Sequence, residues 1–280
     1  SDSEIGWLIG IPVLSGSLLR LPIGMWTDMY GGRGVYALLM LFAAIPMYLL
    51  SYADSYWSFF WASLGFGTAG AAFAVGIAYT SVWFSKERQG TALGIFGVGN
   101  AGAAVTGIWA PQILSAITEG GENIEHWRYL PQIYAAVLAS TAIIFYLVTF
   151  PKKVVQDHVA GIRDHLAPLK QIRVWRFGLY YFLVFGAFVA LSQWLVPYYV
   201  SVYLMPLALA GLMASIFSLP SGLIRALGGV MSDAFGGRRT MFWVLSFCLV
   251  GCALLCVPRM DIVSPGKGVL ATRGGVVKEV

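Results

Sequence analysis

The sequence predicts an all-α integral membrane fold, and three observations predict it. Of 280 residues, 58% are hydrophobic and only 11% charged, where a soluble domain carries roughly 25% charged residues. Apolar runs long enough to cross a bilayer as helix, which takes about 20 residues, recur eight times. The 33 glycines and 10 tryptophans suit helices that pack closely in lipid and anchor at its interfaces. The same figures exclude a soluble enzyme, a disordered chain and an ordinary nucleic-acid binder. A β-barrel would show spans near ten residues with alternating polarity, and these runs do not.

In chain order the expected spans are 5–28, 35–53, 57–84, 91–114, 129–150, 177–204, 207–232 and 240–257. The first ends at Tyr30-Gly31-Gly32-Arg33-Gly34 and the second at Ala53-Asp54-Ser55. The third ends at Ser85-Lys86-Glu87-Arg88-Gln89-Gly90, and the seventh at Gly236-Gly237-Arg238-Arg239. The net charge of +5 has meaning only by side. Loops after the first, third, fifth and seventh spans hold Arg33, Lys86, Arg88, Lys152, Lys153, Arg163, Lys170, Arg173, Arg176, Arg238 and Arg239. The loops on the opposite side hold Arg128 alone, with Asp2, Glu4, Asp54, Glu119, Glu122 and Glu125, and only the basic tail after 257 does not fit this count. By the positive-inside rule the basic side is cytoplasmic, so Ser1 starts outside.

The expected organisation is an N-terminal helical half over 1–150, a basic cytoplasmic linker over 151–176, a C-terminal helical half over 177–257, and a polar tail over 258–280. The tail, placed outside by this topology, reads as either a small extracytoplasmic insertion or a frameshifted or chimeric end. Its Gly274-Gly275-Val276-Val277-Lys278-Glu279-Val280 could start a strand. With Ser1 first and neither a positively charged leader nor a cleavage site, no signal peptide is expected, and the chain reads as a fragment. Cys248, Cys252 and Cys256 share one helix face. They span about 12 Å, too far to share one metal ion, and are expected to pack as small apolar residues. No metal site and no cofactor is expected.

One segment returns after 205 positions. Leu18, Arg20, Gly24, Asp28, Gly31, Gly32 and Arg33 fall on Leu223, Arg225, Gly229, Asp233, Gly236, Gly237 and Arg238. Both copies close an inward-running span, so the two halves are expected to relate by an axis along the membrane normal. Arg20 and Arg225 sit mid-span, where a charge costs roughly 2.5–3.5 kcal/mol on insertion scales. No Asp or Glu lies mid-span, and His126, His158 and His165 lie in loops. An anionic substrate is the simplest counter-charge, because the planar guanidinium fork suits an oxyanion. Binding to helix-end carbonyls, or to acids on spans outside this sequence, is the alternative.

Gly24-Met25-Trp26-Thr27-Asp28-Met29-Tyr30-Gly31-Gly32-Arg33 resembles the loop motif of the major facilitator superfamily. Gly90-Thr91-Ala92-Leu93-Gly94-Ile95-Phe96-Gly97-Val98-Gly99-Asn100-Ala101-Gly102 resembles the nitrate signature of its nitrate/nitrite porter family, NarK-type. The resemblance covers about 5–257 and implies a twelve-helix fold in which these eight spans are the second to the ninth. It implies nitrate or nitrite bound by Arg20 and Arg225, a hydrogen bond from Asn100, and aromatic cover from Phe73 and Tyr181. It also implies a conformational latch at Asp28, Arg33, Asp233 and Arg238. Gly94, Gly97, Gly99 and Gly102 would give a smooth helix face for close packing and sliding.

The expectation is therefore alternating-access transport of nitrate or nitrite, as antiport or proton symport, by a monomer in a bacterial inner membrane. No enzymatic site and no nucleic-acid partner is expected. A carrier for another small anion, such as a carboxylate or organic phosphate, or a non-transporting sensor of the same fold, stays open at this point.

Overall fold

The computed structural model describes residues 2–152, 166–256, 262–264, 269–271 and 277–279. Among them, eight helices are long and apolar enough to cross a membrane. They are α1 (Ser3–Tyr30), α2 (Gly32–Tyr52), α3 (Tyr56–Ser81), α4 (Lys86–Ile117), α5 (Ile124–Val148), α6 (Ile172–Tyr203), α7 (Leu207–Phe235) and α8 (Gly237–Leu254). Large apolar side chains stand exposed along these helices, Phe247 at 79% among them, as expected where the solvent is lipid.

Three helices start five residues before the apolar runs, α5 among them at Ile124 rather than 129. The charged stretch before the fourth span is already helical, as a 3-10 turn over Lys86–Arg88. The sixth begins at Ile172 rather than 177. Hydropathy marks where hydrocarbon begins, whereas helical hydrogen bonding continues into the interface. Prolines sit inside several spans, including Pro46, Pro111, Pro197 and Pro220. Their missing N–H groups are tolerated where neighbours re-satisfy the backbone.

The chain divides into two compact units, one of Ser1–Ser85 with Ile113–Leu179, the other of Lys86–Gln112 with Tyr180–Val280. In the first, α1 crosses α3 at glycines. A Cβ on Gly16 would lie 2.6 Å from the Gly67 carbonyl oxygen and 2.9 Å from Gly70 Cα. Ile23, Leu39, Ala71 and Val75 form its core, and Tyr36 sets its ring edge-on to Phe145 at 5.0 Å. At the end where α2 meets α3, Arg128 ties the loop down. It donates to the Ser51 carbonyl at 2.8 Å and pairs with the Asp54 carboxylate.

In the second unit α4 and α7 pack along their length through small residues. A Cβ on Gly94 would lie 2.6 Å from the Arg225 carbonyl oxygen, and one on Gly222 would lie 2.6 Å from Ala101 N. Ser215 Oγ donates to the Ala104 carbonyl at 3.0 Å. Tyr203, Met205 and Ala210 form a small core where α6 turns into α7. Cys248 and Cys252 are exposed on α8, where an apolar face meets lipid rather than water.

The internal repeat is visible in the backbone. Gly31 has φ 88° and ψ 144°, and Gly236 has φ 86° and ψ 140°. Side chains with a Cβ rarely enter this region. Each glycine N–H closes its helix, on the Thr27 carbonyl at 2.9 Å and the Ser232 carbonyl at 3.0 Å respectively. In the tail, β1 (Ile262–Ser264), β2 (Val269–Ala271) and β3 (Val277–Glu279) pair antiparallel in that order. The third lies within the segment expected to form a strand. Lys153, Arg163, His158 and His165 of the linker, and Arg259, Lys267, Arg273, Gly274–Val276 and Val280 of the tail, lie outside the described residues.

Candidate functional site

Arg20 sits at an interruption. Helix runs from Asp2 to Leu18 and resumes at Arg20. Pro22 explains the break, since it has no N–H to give the Leu18 carbonyl four residues earlier. Facing it, α3 tightens into a 3-10 stretch at Gly67–Ala71. Arg20 Nε donates to the Gly70 carbonyl of that stretch at 3.3 Å, and its guanidinium carbon lies 6.0 Å from the centre of the Phe73 ring. Phe73, expected from the resemblance alone, is therefore beside Arg20 within one unit.

Arg225 is placed by glycine on one side and aromatic rings on the other. A Cβ on Gly97 would come within 3.1 Å of Arg225 Cδ, so the bare backbone there gives the aliphatic stem its path. The guanidinium carbon lies 5.0 Å from the Phe188 ring centre and 5.5 Å from that of Phe185. Tyr181, one turn before Phe185 on α6, stacks on Phe185 at 4.7 Å with planes 14° apart. Tyr181 thus joins the Arg225 surroundings through Phe185. The sequence reading missed Phe185 and Phe188, although their spacing of four and seven residues from Tyr181 marks one helix face.

Asn100 lies on a second mid-span 3-10 stretch, Val98–Ala101 of α4. Its Nδ2 donates to the Gly97 carbonyl at 2.9 Å, the residue over which the Arg225 stem passes. Each arginine therefore faces a helix whose ladder is locally 3-10, a pattern often found at functional hinges. The signature glycines separate by environment. Gly94 and Gly97 meet α7, whereas a Cβ on Gly99 or Gly102 would meet nothing within 4 Å. Gly90 and Gly229, quoted in the signature and the repeat without a packing role, take part in the same close approach as Gly94.

Two of the residues expected to form a latch, Asp233 and Arg33, take part in helix-end contacts. Asp233 accepts from Gly90 N at 2.9 Å, Thr91 N at 2.6 Å and Thr91 Oγ1 at 2.7 Å. It thereby caps the start of α4, where a carboxylate satisfies free N–H groups and opposes the positive end of the helix dipole. Arg33 donates through Nε and NH2 to the Tyr146 carbonyl near the end of α5, with its guanidinium carbon 4.2 Å from the Tyr146 ring centre. Arg238 lies 5.9 Å from the Phe242 ring of its own helix, and Asp28 is half-buried in the last turn before Gly31.

The family model of the Major Facilitator Superfamily matches residues 1–271. The chain is 42% identical over 267 residues to "Probable nitrate/nitrite antiporter NarK1" of Thermus thermophilus, covering 94% of this chain and 60% of that protein. It is 31% identical over 283 residues to "Nitrite extrusion protein" of Bacillus subtilis (strain 168), covering 99% and 68%. It is also 32% identical over 257 residues to "Probable nitrate transporter NarT" of Staphylococcus carnosus (strain TM300), covering 91% and 63%. The chain thus spans between three fifths and about two thirds of the length of these relatives. A family match running from the first residue into the tail leaves one assignment: the chain belongs to the Major Facilitator Superfamily, where it groups with proteins named as nitrate/nitrite porters of NarK type.

Proposed function

We propose that the protein carries nitrate and nitrite across a bacterial plasma membrane by alternating access. The observation that carries the reading is the matched environment of two repeat-related intramembrane arginines. Each has an aromatic ring within 6.0 Å of its guanidinium and a 3-10 stretch on the helix it faces. A flat oxyanion needs two things there, a planar fork of N–H donors and apolar faces above and below its own plane. Arg20 and Arg225 supply the first. Phe73, Phe185 and Tyr181 supply the second, and the Asn100 amide supplies a further donor. Names of relatives point to the same substrates.

The cycle follows from charge. Two intramembrane cations repel, and a bound anion offsets that repulsion, so the loaded carrier switches between its two faces more readily than the empty one. Exchange of one anion for another is the expected mode. The glycine-lined contact of α4 with α7 lets the helices slide at low cost during switching. Conformational control lies at the cytoplasmic helix ends held by Arg33 and Asp233, with Asp28 and Arg238 in the same motifs.

The test is nitrate and nitrite binding to protein expressed from its complete gene, with Arg20→Ala and Arg225→Ala beside wild type. Each substitution should cost about 2–5 kcal/mol if it removes the partner of a desolvated anion. Counterflow in vesicles then separates exchange from proton symport, since exchange is insensitive to a collapsed proton gradient. Binding untouched by either substitution sinks the paired-arginine site. A folded wild type that binds a carboxylate or organic phosphate but neither nitrogen oxyanion sinks the substrate reading.

A further inference from the structure

We infer that residues 166–177, where the linker enters α6, form a docking surface for anionic phospholipid headgroups of the cytoplasmic leaflet. The inference rests on the membrane topology and is independent of the transported substrate.

Length supplies the first argument. At 1.5 Å per residue the 32 residues of α6 extend about 48 Å, while the hydrocarbon core is about 30 Å thick. The early turns of α6 therefore stand among headgroups. Arrangement supplies the second. Leu166, Leu169, Ile172 and Trp175 recur every three residues and all are exposed, Trp175 at 63%. Lys170, Arg173 and Arg176 recur at the same interval and are exposed as well. The segment Leu166-Ala167-Pro168-Leu169-Lys170-Gln171-Ile172-Arg173-Val174-Trp175-Arg176-Phe177 contains no acid. Among the described residues, none of the three cations pairs with a carboxylate.

The segment is also held in shape. A 3-10 turn over Ala167–Lys170 leads into Gln171, which is extended at φ −90° and ψ 123°. Trp175 Nε1 then donates back to the Leu169 carbonyl at 2.8 Å, fixing the elbow. Cations at a helix N-terminus oppose its dipole, so an anion at this place relieves both the dipole and their mutual repulsion. Exposed apolar residues interleaved with exposed cations are the pattern that lies in an anionic interface.

The experiment counts lipid retained by the purified protein, expressed from its complete gene, in mixed micelles holding equal phosphatidylglycerol and phosphatidylcholine. Wild type should enrich phosphatidylglycerol strongly, by up to about a hundredfold at low salt for three basic residues. The variant K170Q/R173Q/R176Q should bring the ratio close to one, while K170R/R173K/R176K should keep it. If the triple variant does not fold, Arg173→Gln alone, at an exposed position, should still cut the ratio several-fold. Unchanged enrichment in a folded glutamine variant overturns the inference. So does loss of enrichment on adding inorganic phosphate at matched ionic strength, which would make this a site for the free ion, or on formation of a dimer buried at this surface.

Discussion

The signature glycines offer a prediction with internal controls. Alanine at position 94 would place a methyl group 2.6 Å from the Arg225 carbonyl oxygen and 3.0 Å from Gly229 Cα. Both are backbone atoms, so nothing can rotate away and α4 must part from α7. Overpacking of this kind costs about 1–3 kcal/mol. Alanine at 99 or 102 meets nothing within 4 Å and regains the roughly 0.5–1 kcal/mol that glycine gives up in a helix interior. Gly94→Ala should therefore melt below wild type, and Gly99→Ala and Gly102→Ala at or above it.

Gly97→Ala falls between these cases and separates stability from function. The new methyl would lie 3.1 Å from Arg225 Cδ, an atom on a flexible stem that can move by a few tenths of an ångström. Stability should then change little, while the guanidinium is displaced and nitrate affinity falls. The assay is thermal unfolding in detergent for all four variants, paired with nitrate binding. Equal destabilisation across the four, or Gly99→Ala as the worst, would refute the assignment of the α4 face that meets α7. A Gly97→Ala protein that binds nitrate as wild type does would refute the link from that glycine to Arg225.

Two further outcomes follow from the helix ends. Asp233→Asn keeps one acceptor oxygen but loses the second oxygen and the charge, so it should lower the melting temperature less than Asp233→Ala does, with amide exchange rising at Gly90 and Thr91. Arg33→Gln should speed amide exchange at the end of α5, while Arg238→Gln, which among the described residues loses a ring contact with Phe242, should leave exchange there unchanged. Equal effects of the two arginine substitutions would contradict the assignment.

Legibility in the sequence differed by scale. Spans were readable because hydrocarbon imposes a length and a composition on every crossing, and the repeat was readable because Arg20, Asp28, Gly31 and their counterparts keep one offset. Gly31 and Gly236 even share backbone angles, since the turn tolerates little else. Partners were harder to read. Phe185 and Phe188 became visible only once α6 had a definite rotation, which brought them to Arg225. The 3-10 stretches at Gly67–Ala71 and Val98–Ala101 leave no compositional mark apart from their glycines, which also read as packing residues. The starts of α4, α5 and α6 were misjudged because hydropathy reports the lipid boundary, while backbone hydrogen bonding continues past it.

The two loop motifs agree in sequence and in backbone, and each copy holds a helix end. On the cytoplasmic side that charge counting assigns, α5 finishes and α4 begins. A finishing helix presents free carbonyls and the negative end of its dipole, whereas a beginning helix presents free N–H groups and the positive end. In the first copy Arg33 donates to the Tyr146 carbonyl of α5. In the second copy Asp233 accepts from Gly90 N and Thr91 N, in the first α-helical turn of α4. Each unit therefore uses the motif charge that suits the helix end packed beside it. A motif carrying both an acid and a base can be duplicated into either setting without changing its sequence.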